Sequence, residues 1–205
     1  MADPWSVTRT IKVSDLHKAD ILLTASDTAS SSTITWGRSI QFAKWAYVSH
    51  AAVCISYDHA AEALSNGICK TPMQEFQDAC THILVLRHND LGSGDLQNAV
   101  VRFAEDHVGT PYDWVKLKDL MSPVYKANQR LRWNVKRKLV GADKVQKQDD
   151  AKFICSEFVV RCYESAGKPI VDLAPWVAPD DFVYLANGGG FSGNDPSLSV
   201  VGKLK

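Results

Sequence analysis

The sequence predicts an α+β domain. Three observations carry that expectation: strand-like segments cluster before residue 90, two segments of helical period follow, and the second of these opens on a cysteine. An apolar fraction of 45% with 22% charged residues suits a packed core, and 205 residues suit one domain. The longest apolar runs are far short of the ~20 residues that cross a bilayer. Met1 to Ser6 show no basic stretch leading into an apolar one, so no signal peptide is expected. The expected location is cytoplasmic, with export by a signal-independent secretion route into the periplasm of a target cell as the alternative.

Taken in order, Ala19–Thr24 reads as a short buried strand and 25–35 as a polar loop. Trp36–Tyr47 reads as a helix presenting Ile40 and Ala43 on one side. Ser49–Ser56 has strand character, Tyr57-Asp58-His59 reads as a tight turn, and Ala60–Leu64 returns as a strand. Thr81–Arg87 is rich in β-formers. Leu96, Val100, Phe103, Ala104 and His107 then fall at helical spacing, with Asp95 placed to cap and Gly109 to stop. Residues 115–150 read as a basic helical insertion broken at Pro123; from Lys116 to Lys147 there are ten Lys/Arg against two acids, in a chain of net charge zero. Phe158, Val159, Cys162 and Tyr163 mark a second strong helix, ended by Gly167 and Pro169. From Asn187 onward the Gly, Ser and Asn content predicts a loosely held tail.

Five cysteines, an odd number without C-x-x-C spacing, predict neither a disulfide framework nor a cysteine-based zinc site, and no metal or cofactor is expected. Cys155 stands where an extended run, Phe153-Ile154, gives way to helical period. A thiol there meets unpaired backbone N–H groups and the positive end of the helix dipole, which favour thiolate. Cys54 and Cys162 fall on apolar faces and read as core; Cys69 and Cys80 carry no local signal. Of the six histidines, His107 lies on an apolar helix face and His50 opens a rigid strand, while His82 and His88 flank a strand and stay open as bases on pattern alone.

Four segments resemble a known superfamily. His50-Ala51-Ala52-Val53 and Ala19-Asp20-Ile21-Leu22 are similar to the H-V-G-I and G-D-I/L strands of NlpC/P60 cysteine peptidases. Gly109-Thr110-Pro111-Tyr112-Asp113 resembles their G-x-P-Y segment, and Cys155-Ser156-Glu157-Phe158-Val159 their nucleophile motif. The strands come first here, as in the circularly permuted YiiX/YaeF-like branch, whose motifs run H, E-A, P-Y-D, C-S-E-L/F; this chain supplies His50, Glu62-Ala63, Pro111-Tyr112-Asp113 and Cys155-Ser156-Glu157-Phe158. The resemblance covers roughly residues 15–185. It implies a permuted papain-like fold, an antiparallel sheet packed against a helix that carries the nucleophilic cysteine. It also implies Cys155 as nucleophile, His50 as general acid/base, Glu62 as orienting acid and Tyr112 as a polar contact near the oxyanion. Tyr112 reads equally as a core aromatic with one hydrogen bond. A three-residue turn at Tyr57–His59 would leave His50 and Glu62 on one face but four residues out of register, ~13 Å.

The resemblance implies a thiol hydrolase of amidase or peptidase type, acting on a small or cell-wall-type peptide such as a peptidoglycan fragment. If it is an exported antibacterial effector, an immunity-type inhibitor protein is an expected partner. The permuted order also leaves a lipid-acting acyltransferase, thioesterase or phospholipase open, against which the absent N-C-E-H-F motif counts. A third reading, a non-catalytic basic module, predicts salt-dependent binding that survives Cys155→Ala; under the enzyme readings no nucleic acid is expected. The basic insertion reads either as a lid over the site or as a solvated helix.

Overall fold

The computed structural model describes residues 6–25, 48–92, 94–120, 151–171, 177–186 and 198–204. The expected polar loop beyond Ala25, the helix at 36–47, the break at Pro123 and most of the basic insertion lie outside the described residues, as does 187–197 of the tail.

Seven strands form one sheet among the described residues: β1 (Thr10–Ile11), β2 (Ile21–Ala25), β3 (His50–Ser56), β4 (His59–Leu64), β5 (Gly67–Pro72), β6 (His82–His88) and β7 (Leu198–Leu204). Their order is β1-β7-β6-β2-β3-β4-β5. β1 and β7 run parallel and every other pair is antiparallel. The helices are α1 (Met73–Asp78), α2 (Gly94–Asp106), α3 (Trp114–Leu120), α4 (Cys155–Ser165) and α5 (Pro179–Ala186). The architecture is α+β, as the sequence predicts.

β2 lies in the middle of the sheet and alternates its side chains between two cores. Leu23, with Val53, Leu84 and Leu86, packs under Val100 and Ala104 of α2 and Phe158, Val159 and Cys162 of α4. Leu22, with Ala52, Cys54 and Val85, faces Leu16 and the apolar side of α1, Met73 and Phe76. A strand buried on both faces loses the polar alternation of a surface strand, which is why Ile21-Leu22-Leu23 is uniformly apolar. The expected start at Ala19 is two residues early, because Ala19 has a left-handed φ of 66°. It occupies the place where the resembled strand carries glycine.

Two departures from the sequence reading concern strands. Gly67–Pro72 and the helix after it had no assignment in the sequence. The tail expected to be loose from 187 ends instead in β7, hydrogen-bonded on both sides between β1 and β6. Leu198 and Val200 pack into the core under α2 and α4 and Leu204 into the core beside α1, the face changing at the β6–β7 irregularity, and β7 covers an edge that β6 would otherwise leave open. Asp95, expected as a cap, lies inside the first turn of α2 and serves the helix dipole there. α4 ends as expected at Gly167: its φ of +67° lets Gly167 N–H bond to the Glu164 carbonyl (2.9 Å) and Lys168 N–H to the Tyr163 carbonyl (3.0 Å).

Candidate active site

The site grows from the start of α4. Ile154 is extended (φ −89°, ψ 163°) and Cys155 is the first helical residue, so the thiol stands at the positive end of the helix. Ile154 offers no side-chain acceptor, and the first turn is closed by Glu157, whose carboxylate accepts the Ile154 N–H at 3.5 Å. Ser156 is buried and donates its hydroxyl to the Val177 carbonyl, so it anchors the helix start and does not face the thiol chemistry.

The approach to Cys155 is fixed by the segment 109–113. Tyr112 forms a parallel bridge with Phe153; Phe153 N–H donates to the Pro111 carbonyl (3.2 Å) and Asp113 N–H to the Phe153 carbonyl (2.9 Å). The same segment is held from behind by β5. Ile68 N–H donates to the Thr110 carbonyl and Gly109 N–H to the Ile68 carbonyl, both at 2.8 Å. Gly67, at φ +112°, makes that approach feasible: a Cβ there would sit 2.7 Å from the Thr110 oxygen.

His50 opens β3 beside Cys155, and its Nε2 is 2.8 Å from Glu62 Oε2. The four-residue mismatch expected from a three-residue turn does not occur. The turn is Tyr57-Asp58 alone, with Ser56 opposite His59, and a bulge between Cys54 and Ser56 moves the pairing by one further residue. Glu62 therefore faces Ala52, two residues from His50 on the same side, a diagonal separation that a histidine and a glutamate can bridge. Thr71 Oγ1, from β5, donates to the other Glu62 oxygen at 2.5 Å and fixes the carboxylate plane. With Nε2 engaged by Glu62, Nδ1 is left to serve the Cys155 sulfur.

The electrostatics follow from these contacts. Burial by itself would raise the Cys155 pKa. The hydrogen bond and charge of His50, with backbone hydrogen bonds at Ala51 and Ser156, outweigh it and bring the thiol below its ordinary value. Burial likewise disfavours the imidazolium, but Cys155 and Glu62 together push His50 up to about 10. Glu62, which burial would raise, is held below the usual carboxylate range by His50 and Thr71. Tyr112 is 7% exposed, and burial together with the neighbouring Cys155 charge pushes its phenol up, so it stays a protonated donor to the sulfur.

The other thiols behave oppositely. Burial pushes Cys54 to about 12 and Cys80 to about 11, and raises Cys69 and Cys162. Of the two histidines that pattern left open, His88 is buried, accepts the Asp90 N–H on Nδ1 (3.1 Å) and stacks on Tyr163. His82 is exposed at the start of β6. His107 donates to the Phe103 carbonyl and stacks on that ring, a structural residue as expected. The structure thus brings together Cys155, His50, Glu62 and Tyr112. The sequence reading missed Thr71 and Lys116, whose ammonium lies 2.6 and 2.8 Å from the Glu157 oxygens. Asn66-Gly67, a hairpin dipeptide, was the signal available for the strand that carries Thr71. Among the described residues no group of three or more His, Cys, Asp or Glu side chains converges as a metal site.

A family model described as permuted papain-like amidase enzyme, YaeF/YiiX, C92 family, matches residues 15–125. Among solved structures, the chain is similar to the metalloprotein YiiX from Escherichia coli O157:H7. The two are 19% identical, with 90% of this chain and 88% of that one covered at a TM-score of 0.49. No curated protein sequence matches the chain.

Proposed function

Because the chain belongs to the C92 family of permuted papain-like amidases, the YaeF/YiiX group, we propose that it cleaves an amide bond in a small peptide of the cell-wall type with Cys155 as nucleophile. One observation carries the assignment of the nucleophile. Of five thiols, Cys155 alone is drawn toward thiolate, and it is the one at a helix start beside a histidine–glutamate pair.

The chemistry follows the geometry. The Cys155 thiolate adds to the substrate carbonyl carbon, the C=O π bond breaks, and that carbon becomes tetrahedral with the negative charge on its oxygen. The backbone N–H of Cys155, in a first turn the helix cannot pair, is the donor for that oxyanion. The Tyr112 hydroxyl, beside Cys155, is the second polar contact. His50 gives its Nδ1 proton to the leaving nitrogen as the C–N bond breaks, leaving a thioester on Cys155. Water, deprotonated by the now neutral His50, attacks that thioester and releases the acid, which restores thiolate and imidazolium. Glu62 holds the imidazole orientation and stabilises its charge throughout.

The test is a product assay by mass spectrometry, with peptidoglycan stem peptides and phospholipids offered in parallel to the purified protein and to Cys155→Ala. Peptide cleavage that is lost in the variant is expected. Acyl release from phospholipid without peptide cleavage would move the substrate to lipids and overturn the proposal.

A further inference from the structure

The two acids of the site motifs, Asp113 and Glu157, take no part in the chemistry above, and one cation joins them. Lys116 Nζ lies 2.6 and 2.8 Å from the Glu157 oxygens and 3.5 Å from Asp113 Oδ2. The Lys116 backbone N–H donates to Asp113 Oδ1 at 2.8 Å, so Asp113 also caps the start of α3. Glu157 is 2% exposed and has the Ile154 N–H as its other donor.

Seen along the chain, Cys155 is held between two ties to the same segment. On its N-terminal side Phe153 is bridged to Tyr112 by backbone hydrogen bonds, and on its C-terminal side Glu157 is clamped by Lys116. Tyr112 lies between Pro111 and Asp113, in the bridge to Phe153, and Cys155 is the neighbour whose charge and hydrogen bond push its phenol up. With only the Phe153 tie, the two strands of backbone would be free to pivot about it, and the hydroxyl would swing relative to the thiol. The ion pair removes that freedom.

We propose that Lys116 is a positioning residue: by clamping Glu157 and Asp113 it sets the Tyr112 hydroxyl against the Cys155 sulfur. The proposal rests on the reading of Cys155 as nucleophile. It requires that Lys116 act through Tyr112, which separates it from a general stabilising ion pair.

The experiment measures the rate of Cys155 alkylation by limiting iodoacetamide, mapped by mass spectrometry, from pH 5 to 9. The proteins are wild type, Tyr112→Phe, Lys116→Met, Lys116→Arg and the Tyr112→Phe/Lys116→Met double variant. Tyr112→Phe removes a donor to the thiolate and should slow the reaction at neutral pH several-fold, moving its pH midpoint upward. Lys116→Met should shift rate and midpoint by a similar factor. The double variant should match either single one, because each breaks the same contact. Lys116→Arg should stay near wild type. If Lys116→Met does not fold, Lys116→Met/Glu157→Gln carries the same comparison, since it removes the buried carboxylate with its partner. Effects that multiply in the double variant, or an effect of one single variant without the other, overturn the clamp. Wild-type protein that shows no preference for Cys155 over the other four thiols overturns the catalytic reading instead, so the two failures are distinct.

Discussion

Burial alone favours the neutral forms of Cys155 and His50, and each draws the other toward its charged form. That mutual dependence makes the pair testable by substitution. His50→Ala should move the pH midpoint of Cys155 alkylation up toward the ordinary ~8.5 of a free thiol and lower amidase turnover by about 10²–10⁴-fold. A midpoint unchanged by the substitution would show that the helix start alone activates the sulfur. Glu62 supplies a second test with a definite sign. Its folded pKa is depressed, so its contribution to stability is present above the unfolded value of ~4.3 and is lost as pH falls through the folded value. His50 is the opposite case. Its raised pKa gives stability that is complete below ~6.5 and is lost as pH climbs through about 10. Glu62→Gln should therefore flatten the acid side of a plot of Tm against pH, and, by loosening the imidazole, reduce turnover by roughly tenfold or more. Thr71→Val should act in the same direction more weakly, since it removes one hydrogen bond to the carboxylate.

At the scale of elements, the site depends on how closely β5 lies against the segment before α3. Gly67→Ala would place a Cβ 2.7 Å from the Thr110 oxygen at a φ of +112°, and the backbone must shift to admit it. A loss of about 1–3 kcal/mol in denaturant unfolding is expected, with slower Cys155 alkylation because Tyr112 moves with Thr110. Gly94→Ala is the control: nothing lies within 4 Å of its Cβ, and the change should stay within about 1 kcal/mol. The elements that could be read from sequence were those whose burial imposes a period. β2, β3, β4 and β6 are apolar because the sheet is covered on both faces, and α2 and α4 show their buried stripes plainly. β5 was opaque because Cys69, Lys70 and Thr71 sit at an edge where little apolar surface is required. Cys155, His50, Glu62 and Tyr112 were legible mainly through their resemblance to the family motifs. Their meeting was not, since the bulge between Cys54 and Ser56 that brings Glu62 within reach of His50 is a backbone feature without a residue signature.

Across the whole molecule, the C-terminal strand joins β1 to the rest of the sheet. β7 hydrogen-bonds to β1 and β6, and its Leu198 is wholly buried. The Gly/Ser/Asn-rich stretch before it hid that role in the sequence, because composition reports what a segment cannot pack and says nothing of a neighbour's need for a partner. Removing residues 198–205 should leave β6 with an open edge and cost the cooperative unfolding transition, measured by calorimetry, whereas a truly loose tail could be cut without effect. The order of motifs has a consequence in time as well as in space. His50 and Cys155 are separated by more than a hundred positions, and the imidazole proposed to activate the sulfur is synthesised long before it. A ribosome making this chain therefore emits a base with no nucleophile to serve. On the proposed mechanism the sulfur is activated only when late-made chain docks onto a sheet built largely from its first half, so a partial product would lack the pair.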